Sequence, residues 1–170
     1  MASGELVGII NSDDWYEKDA VWNMIKAYES FKDSNPDMQM AVFYGTLCQW
    51  RDGKPVLTSK SDHTTLRSGM IAHPTCFVTM KTYEVYGTFN TKYISAADYD
   101  IMLRFYESEN VHFEAVDALI ANFALGGMCS SSKAYYDLLK VRRDHNLIGD
   151  WKYFTEYLKC KANDLIKGRK

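Results

Sequence analysis

Residues 6–15, Leu-Val-Gly-Ile-Ile-Asn-Ser-Asp-Asp-Trp, constrain this chain most, because five mainly apolar residues are followed closely by two adjacent carboxylates. The apolar run reads as a buried strand, of the near-continuous kind that parallel sheets cover on both faces. In an open α/β sheet, ligands bind beyond the carboxyl ends of the strands. A carboxylate pair placed there suits a hard divalent cation carrying phosphates, since Mg²⁺ takes one or two carboxylates and leaves the rest of its shell to water and substrate. The same residues also make a turn, or cap a helix by accepting from its free N–H groups. Asp13 and Asp14 by themselves leave these readings open.

Elsewhere the periodicity is that of an α/β domain. Val21, Met24, Ile25, Tyr28 and Phe31 recur at helical spacing and predict an amphipathic helix that stops before Asn35-Pro36. Ala41 to Gln49 is rich in strand formers, and Arg51-Asp52-Gly53-Lys54 turns it into Pro55 to Thr58 as a hairpin. Ser59 to Ser68 is polar and reads as a surface loop. Thr75 to Thr79 predicts a strand, followed by a short helix over Lys81 to Tyr86 that Gly87 stops. A second clear helix covers Ala97 to Ser108, with Tyr99, Met102, Leu103 and Tyr106 on its apolar face. Val111 to Val116 and Leu119 to Ala124 predict two short strands, and Gly126-Gly127 opens a loop. Ser130 to Ser132 precede a helix running to His145, and a last helix from Trp151 to Ile166 offers Tyr153, Phe154, Tyr157, Leu158 and Leu165 for packing. The chain therefore divides into an α/β part, residues 1–128, and a helical extension, residues 129–170, packed on the same domain.

Bulk properties narrow the function classes. With 170 residues, 46% hydrophobic and 25% charged, the chain can bury one core and is not disordered. A net charge of -2 gives no electrostatic reason to expect nucleic acid, and no stretch is long and apolar enough for a transmembrane span. Glu5, Asp13, Asp14, Glu17 and Asp19 are incompatible with a signal peptide, which predicts a cytoplasmic protein or one peripheral to the inner face of the membrane. Cys48, Cys76, Cys129 and Cys160 show no CxxC spacing and read as reduced, buried thiols. Lys167-Gly168-Arg169-Lys170 is a short basic end, solvated or touching anionic lipid. At the other end, Ala2-Ser3-Gly4-Glu5 looks like the close of a helix with no helix before it. A parallel strand needs neighbours delivered by crossovers of about thirty residues each. The expectation is the back half of a larger fold.

Two further clusters can carry chemistry. His73 stands directly before the strand at Thr75, fixed by the proline that follows it, a place where a lone histidine is more often structural than a ligand contact. Asp98 and Asp100 occupy the first turn of a helix, where the dipole favours negative charge and capping alone accounts for them. A general base need not be strong if it is held within reach of the proton it removes, so the cluster stays open to that role as well.

Taken in order, Ala2-Ser3-Gly4-Glu5, Ile10-Asn11-Ser12-Asp13-Asp14-Trp15-Tyr16, Tyr44-Gly45, Gly69-Met70 with His73, Tyr86-Gly87-Thr88-Phe89-Asn90 and Ala97-Asp98-Tyr99-Asp100 with Leu103-Arg104 resemble the inverting glycosyltransferases of family 2. The resemblance runs from Ser3 to about Ser131 and does not reach the last two helices. It implies a truncated GT-A-like mixed sheet flanked by helices, with a helical C-terminal end. The implied reaction is transfer of a sugar, with inversion, from a nucleotide-diphospho-sugar to the hydroxyl of a saccharide or other acceptor. Ser12-Asp13-Asp14 falls on the family's DxD-like motif, so Asp14 would bind Mn²⁺ or Mg²⁺ and Asp13 would contact the ribose or the sugar; Ser12 replaces the first acid. Asp98 falls on the catalytic base, with Ala97 where many relatives carry another acid. His73 falls on a histidine of one branch and would face the acceptor or the phosphates. In the family two earlier βαβ units hold the nucleotide base, so the expectation for this chain alone is a partial donor site with weak or no activity. A strand without its neighbours would also pair with another copy, giving a homodimer through the sheet edge. The alternative is a non-catalytic, self-associating interaction module whose carboxylates are only caps.

Overall fold

The computed structural model describes residues 2–126 and 132–167. The loop expected at Gly127, the residues Ser130 and Ser131 before the next helix, Cys129, and the basic end at 168–170 lie outside the described residues. The described strands are β1 (Leu6–Gly8), β2 (Trp15–Tyr16), β3 (Ala41–Arg51), β4 (Lys54–Ser59), β5 (Phe77–Thr79) and β6 (His112–Ala124). The helices are α1 (Ala20–Ser34), α2 (Met80–Tyr86), α3 (Ala97–Glu107), α4 (Ser132–Asp144) and α5 (Asp150–Lys167). The strands form one sheet in the order β1-β5-β3-β6-β2, with β4 hairpinned to β3. β3 and β6 run parallel, and the other pairs are antiparallel. This is the mixed sheet flanked by helices that the resemblance implies.

The chain resolves into two compact units. The first holds residues 1–88 and 104–125, and with them the whole sheet. Its core is built where α1 lays Ala20, Met24 and Phe31 on Ala41 and Phe43 of β3, Phe77 of β5 and Ile120 of β6. Burying each large apolar side chain there contributes roughly 1.5–3 kcal/mol. Asp52 and Gly53 take positive φ, 52° and 73°, the turn that keeps the twist of β3 and β4 in step. α2 ends at Gly87, whose φ of 79° no other residue type adopts without strain, and Arg104 donates from Nη1 and Nη2 to the carbonyls of Tyr86 and Thr88, both at 2.7 Å. The second unit holds residues 89–103 and 126–170. In it α4 and α5 pair through the rings of Tyr136 and Tyr157, 5.1 Å apart, and Arg143 lies over Tyr153.

Several expectations change. The run at residues 6–10 is a three-residue edge strand, antiparallel to β5 and half-buried, and not a parallel strand covered on both faces. At its end Gly8 packs against the Phe77 and Tyr16 rings, where a Cβ would meet Phe77 at 2.6 Å and the Tyr16 hydroxyl at 2.7 Å. The buried face of α1 runs through Ala20, Met24 and Phe31, and Val21 is exposed. Val111 to Val116 and Leu119 to Ala124 are one strand, β6, whose register to β3 shifts between Tyr44 and Leu47. Gly45 sits at the shift, where β6 comes so close that a Cβ would lie 2.4 Å from Ile120 Cγ1 and 2.9 Å from the Ala118 carbonyl oxygen. The polar stretch 59–68 is anchored, with Leu66 buried and His63 stacked on Phe113 at 5.3 Å. On α5, Tyr153 and Tyr157 pack, whereas Phe154 and Leu158 are exposed.

Candidate functional site

Asn11 to Asp14 form a tight turn, closed by the Asp14 N–H donating to the Asn11 carbonyl at 3.2 Å. The turn delivers the Asp14 carboxylate, which is buried, to the carboxyl end of β6. One oxygen accepts from the Ala124 N–H at 3.0 Å, and the other accepts from the Asn11 side-chain amide at 3.1 Å. Two residues earlier on β6, the buried Asn122 accepts from Trp50 Nε1 at 2.6 Å and donates to Glu17 at 2.8 Å. Trp15 lies against Trp50 with ring centroids 5.4 Å apart. The acids therefore stand not at the end of the strand preceding them but at the carboxyl ends of the parallel pair β3 and β6, the end at which open sheets bind ligands. Asp13 beside Asp14 is exposed.

These carboxylates suit a cation that takes one or two protein oxygens, because each oxygen of Asp14 keeps a lone pair beyond the N–H it accepts. Among the described residues no group of three or more His, Cys, Asp and Glu could hold a metal unaided. Any cation here would complete its shell from phosphate and water.

His73 opens a 3-10 turn, His73–Thr75, rather than a strand, and is half-buried. The Thr75 hydroxyl donates to the Ala72 carbonyl at 2.7 Å and accepts from the Gly45 N–H at 3.3 Å, so the turn is fastened to β3 at its shifted register. Beside Tyr44-Gly45-Thr46 lies a cavity of about 250 Å³, flanked by Ser61 and by the Lys60–Asp117 pair. His63, which sequence reasoning passed over, bonds the Tyr44 hydroxyl through Nδ1 at 2.8 Å.

In the second unit the first turn of α3 separates its two acids. Asp100 is buried and accepts from His145 Nε2 at 3.0 Å. Asp98 is half-exposed, accepts from the Tyr99 N–H at 2.8 Å, and no ion pair among the described residues engages it. The segment before it is held by α4. Asp137 accepts from the N–H groups of Ile94 at 2.8 Å and Ser95 at 3.0 Å, and Asp144 accepts from the Tyr93 hydroxyl at 2.7 Å. Burial would raise the Asp137 carboxyl, but Lys140 and the Ser95 and Ile94 N–H groups outweigh it and hold the acid below the usual carboxylate range. Asp137, Asp144 and His145 recur at the seven- and eight-residue spacing of one helix face. That spacing was the available sequence signal for the clamp, since three polar residues on the inner face of a helix ask for partners.

No family model matches the chain, and no curated protein matches it in sequence. Solved structures do. S. aureus TarS 1-349 in complex with UDP-GlcNAc is similar with a TM-score of 0.57 and 17% identity, over 88% of this chain and 44% of that one. The same protein in complex with UDP gives 0.53 and 18%, over 88% and 43%. S. aureus TarS itself gives 0.53 and 15%, over 88% and 26%. The chain thus spans under half the length of these structures, and it shares their fold, a mixed sheet flanked by helices as the resemblance implies.

Proposed function

We propose that this chain contributes the metal-side and acceptor-side elements of an inverting sugar transfer from a nucleotide-diphospho-sugar to an acceptor hydroxyl. The observation that carries the reading is the likeness to TarS structures, one holding UDP-GlcNAc and one UDP, over 88% of the chain, together with acids at both positions the family motifs mark. Asp14 would hold Mn²⁺ or Mg²⁺, its carboxylate aimed by Ala124 and Asn11. When bound, such a cation neutralises charge developing on the departing diphosphate. Asp13, exposed beside it, would contact the ribose or sugar. Asp98 would take the proton of the attacking hydroxyl: its side chain is partly open to solvent, and the Asp137 clamp on residues 94–95 restrains the segment before it. His73 is assigned to acceptor or phosphate contact. The setting is cytoplasmic in this reading, and among the described residues no helix is long and apolar enough to cross a membrane.

A second reading has its own observation. Both Asp14 oxygens accept from protein N–H groups, as a purely structural turn requires. That favours a non-catalytic module, self-associating through the exposed edge of β1. Calorimetry separates the two. With Mn²⁺ present, UDP-GlcNAc should give binding heat that Asp14→Ala abolishes while circular dichroism shows the fold intact. No heat at millimolar ligand would support the module instead.

A further inference from the structure

The last helix carries an apolar face that its own unit leaves open. Trp151, Phe154 and Leu158 follow along α5 at i, i+3 and i+7 and are 79%, 52% and 48% exposed. A separate side of the helix meets α4: Tyr157 packs on Tyr136, Tyr136 donates to Asp164 at 3.1 Å, and Arg143 covers Tyr153. At 100° per residue, exposed Ala162 continues the open stripe. Lys152 and Lys159 border the stripe on one side, and Lys161 borders it on the other, above the rings of Tyr136 and Tyr157. The sequence then runs on through Lys167, Arg169 and Lys170.

Trp, Phe and Leu on one face with lysines at its margins is the layout of helices that lie in a membrane interface. Indole rings favour headgroup depth, and lysine stems reach along apolar surface to place their ammonium groups beside lipid phosphates. A second copy of the chain is a poorer occupant, because pairing two such faces would set the lysines of one against those of the other. Asp150 is the one acid at the near margin. Glu156 stands among the lysines and pairs with Lys159 at 2.8 Å and with the Tyr135 hydroxyl at 3.3 Å; Lys159 is 68% exposed, and so exposed a pair is weak enough to exchange for a lipid phosphate.

We propose that α5 docks on an anionic lipid surface, with Trp151, Phe154 and Leu158 entering the headgroup boundary and Lys152, Lys159 and Lys161 meeting lipid phosphates. The test is co-sedimentation of the 170-residue chain with vesicles containing phosphatidylglycerol and with vesicles of phosphatidylcholine alone. Binding should favour the anionic vesicles and fall as salt rises. Lys152→Gln and Lys159→Gln should each weaken it roughly fivefold. Phe154→Ser with Leu158→Ser should remove it while circular dichroism and the melting curve stay those of a folded chain. Asp98→Asn should bind vesicles like the parent, so failure of the sugar-transfer reading and failure of lipid docking are separable. Equal binding to neutral and anionic vesicles, or lysine variants that bind unchanged, would overturn the proposal. So would a parent chain that ignores both vesicle types, whether it sediments as a monomer or as a dimer that Leu158→Ser splits.

Discussion

The turn at residues 11–14 and the first turn of α3 both set two acids close together, and in both the fold locks one acid and leaves the other more open. Asp14 is locked by a main-chain amide 110 residues away and by Asn11, Asp100 by an imidazole 45 residues away. Asp13 is exposed, and Asp98 is half-exposed. The locks differ in kind. Asp14 is held by two amide N–H donors, and Asp100 by an imidazole nitrogen. The roles expected of the acids differ too: the resemblance puts the metal on the locked acid of the first pair and the base on the open acid of the second. In the proposed reading, locking and function therefore part company. A ligand that must be oriented benefits from a carboxylate whose lone pairs are already aimed, while a proton acceptor must stay open to the group that approaches it.

Four measurements would break or sharpen this contrast. The largest effect is expected from His145→Leu, which removes the buried imidazole that bonds Asp100 at 3.0 Å and should cost about 3 kcal/mol in denaturant unfolding. His145→Leu with Asp100→Leu should recover part of that loss; if the single variant melts like the parent, the lock at α3 has no energetic content. Asp14→Ala should cost about 2 kcal/mol by leaving the Ala124 N–H and the Asn11 amide without their acceptor. A smaller loss there would mean that water serves the turn equally well.

Asp137→Asn should cost about 1 kcal/mol, since one charge-assisted bond to Ser95 or Ile94 weakens. Its pH dependence has a definite sign. The folded carboxyl lies below its unfolded value, so its stabilisation is fully present above the ordinary carboxylate range and is lost as pH falls through the depressed folded value. Acid unfolding of the parent should thus show a step that Asp137→Asn removes. The smallest stability effects belong to the open acids: Asp13→Asn and Asp98→Asn should stay within about 0.5 kcal/mol of the parent. If transfer occurs, Asp98→Asn should nonetheless reduce its rate by roughly 10²–10⁴-fold. A large stability loss in Asp98→Asn would make that acid a structural cap.

How much was legible follows the range of each interaction. The family-motif residues could be placed in order along the chain, and the fold they imply is the fold found. The α4 clamp on residues 93–95 was not read, although Asp137, Asp144 and His145 share a helix face. Helical spacing shows which residues share a face, and it does not show which loop that face will grip. The same limit rotated α1: Val21 fits the apolar period, but Ala20 is the residue that β3, β5 and β6 cover.

The sequence by itself determined the local boundaries. The Asp52-Gly53 hairpin turn, the end of α1 before Asn35-Pro36, the Gly87 stop and the acidic start of α3 each depend on backbone preferences of a few adjacent residues. Only the tertiary structure decided that β1 is a short antiparallel edge and that β6 runs unbroken past Gly45. It alone set the Asp14 carboxylate against the end of β6. Those choices rest on partners far away in the chain, and a strand or a carboxylate carries no local mark of which distant amide will complete its hydrogen bonds.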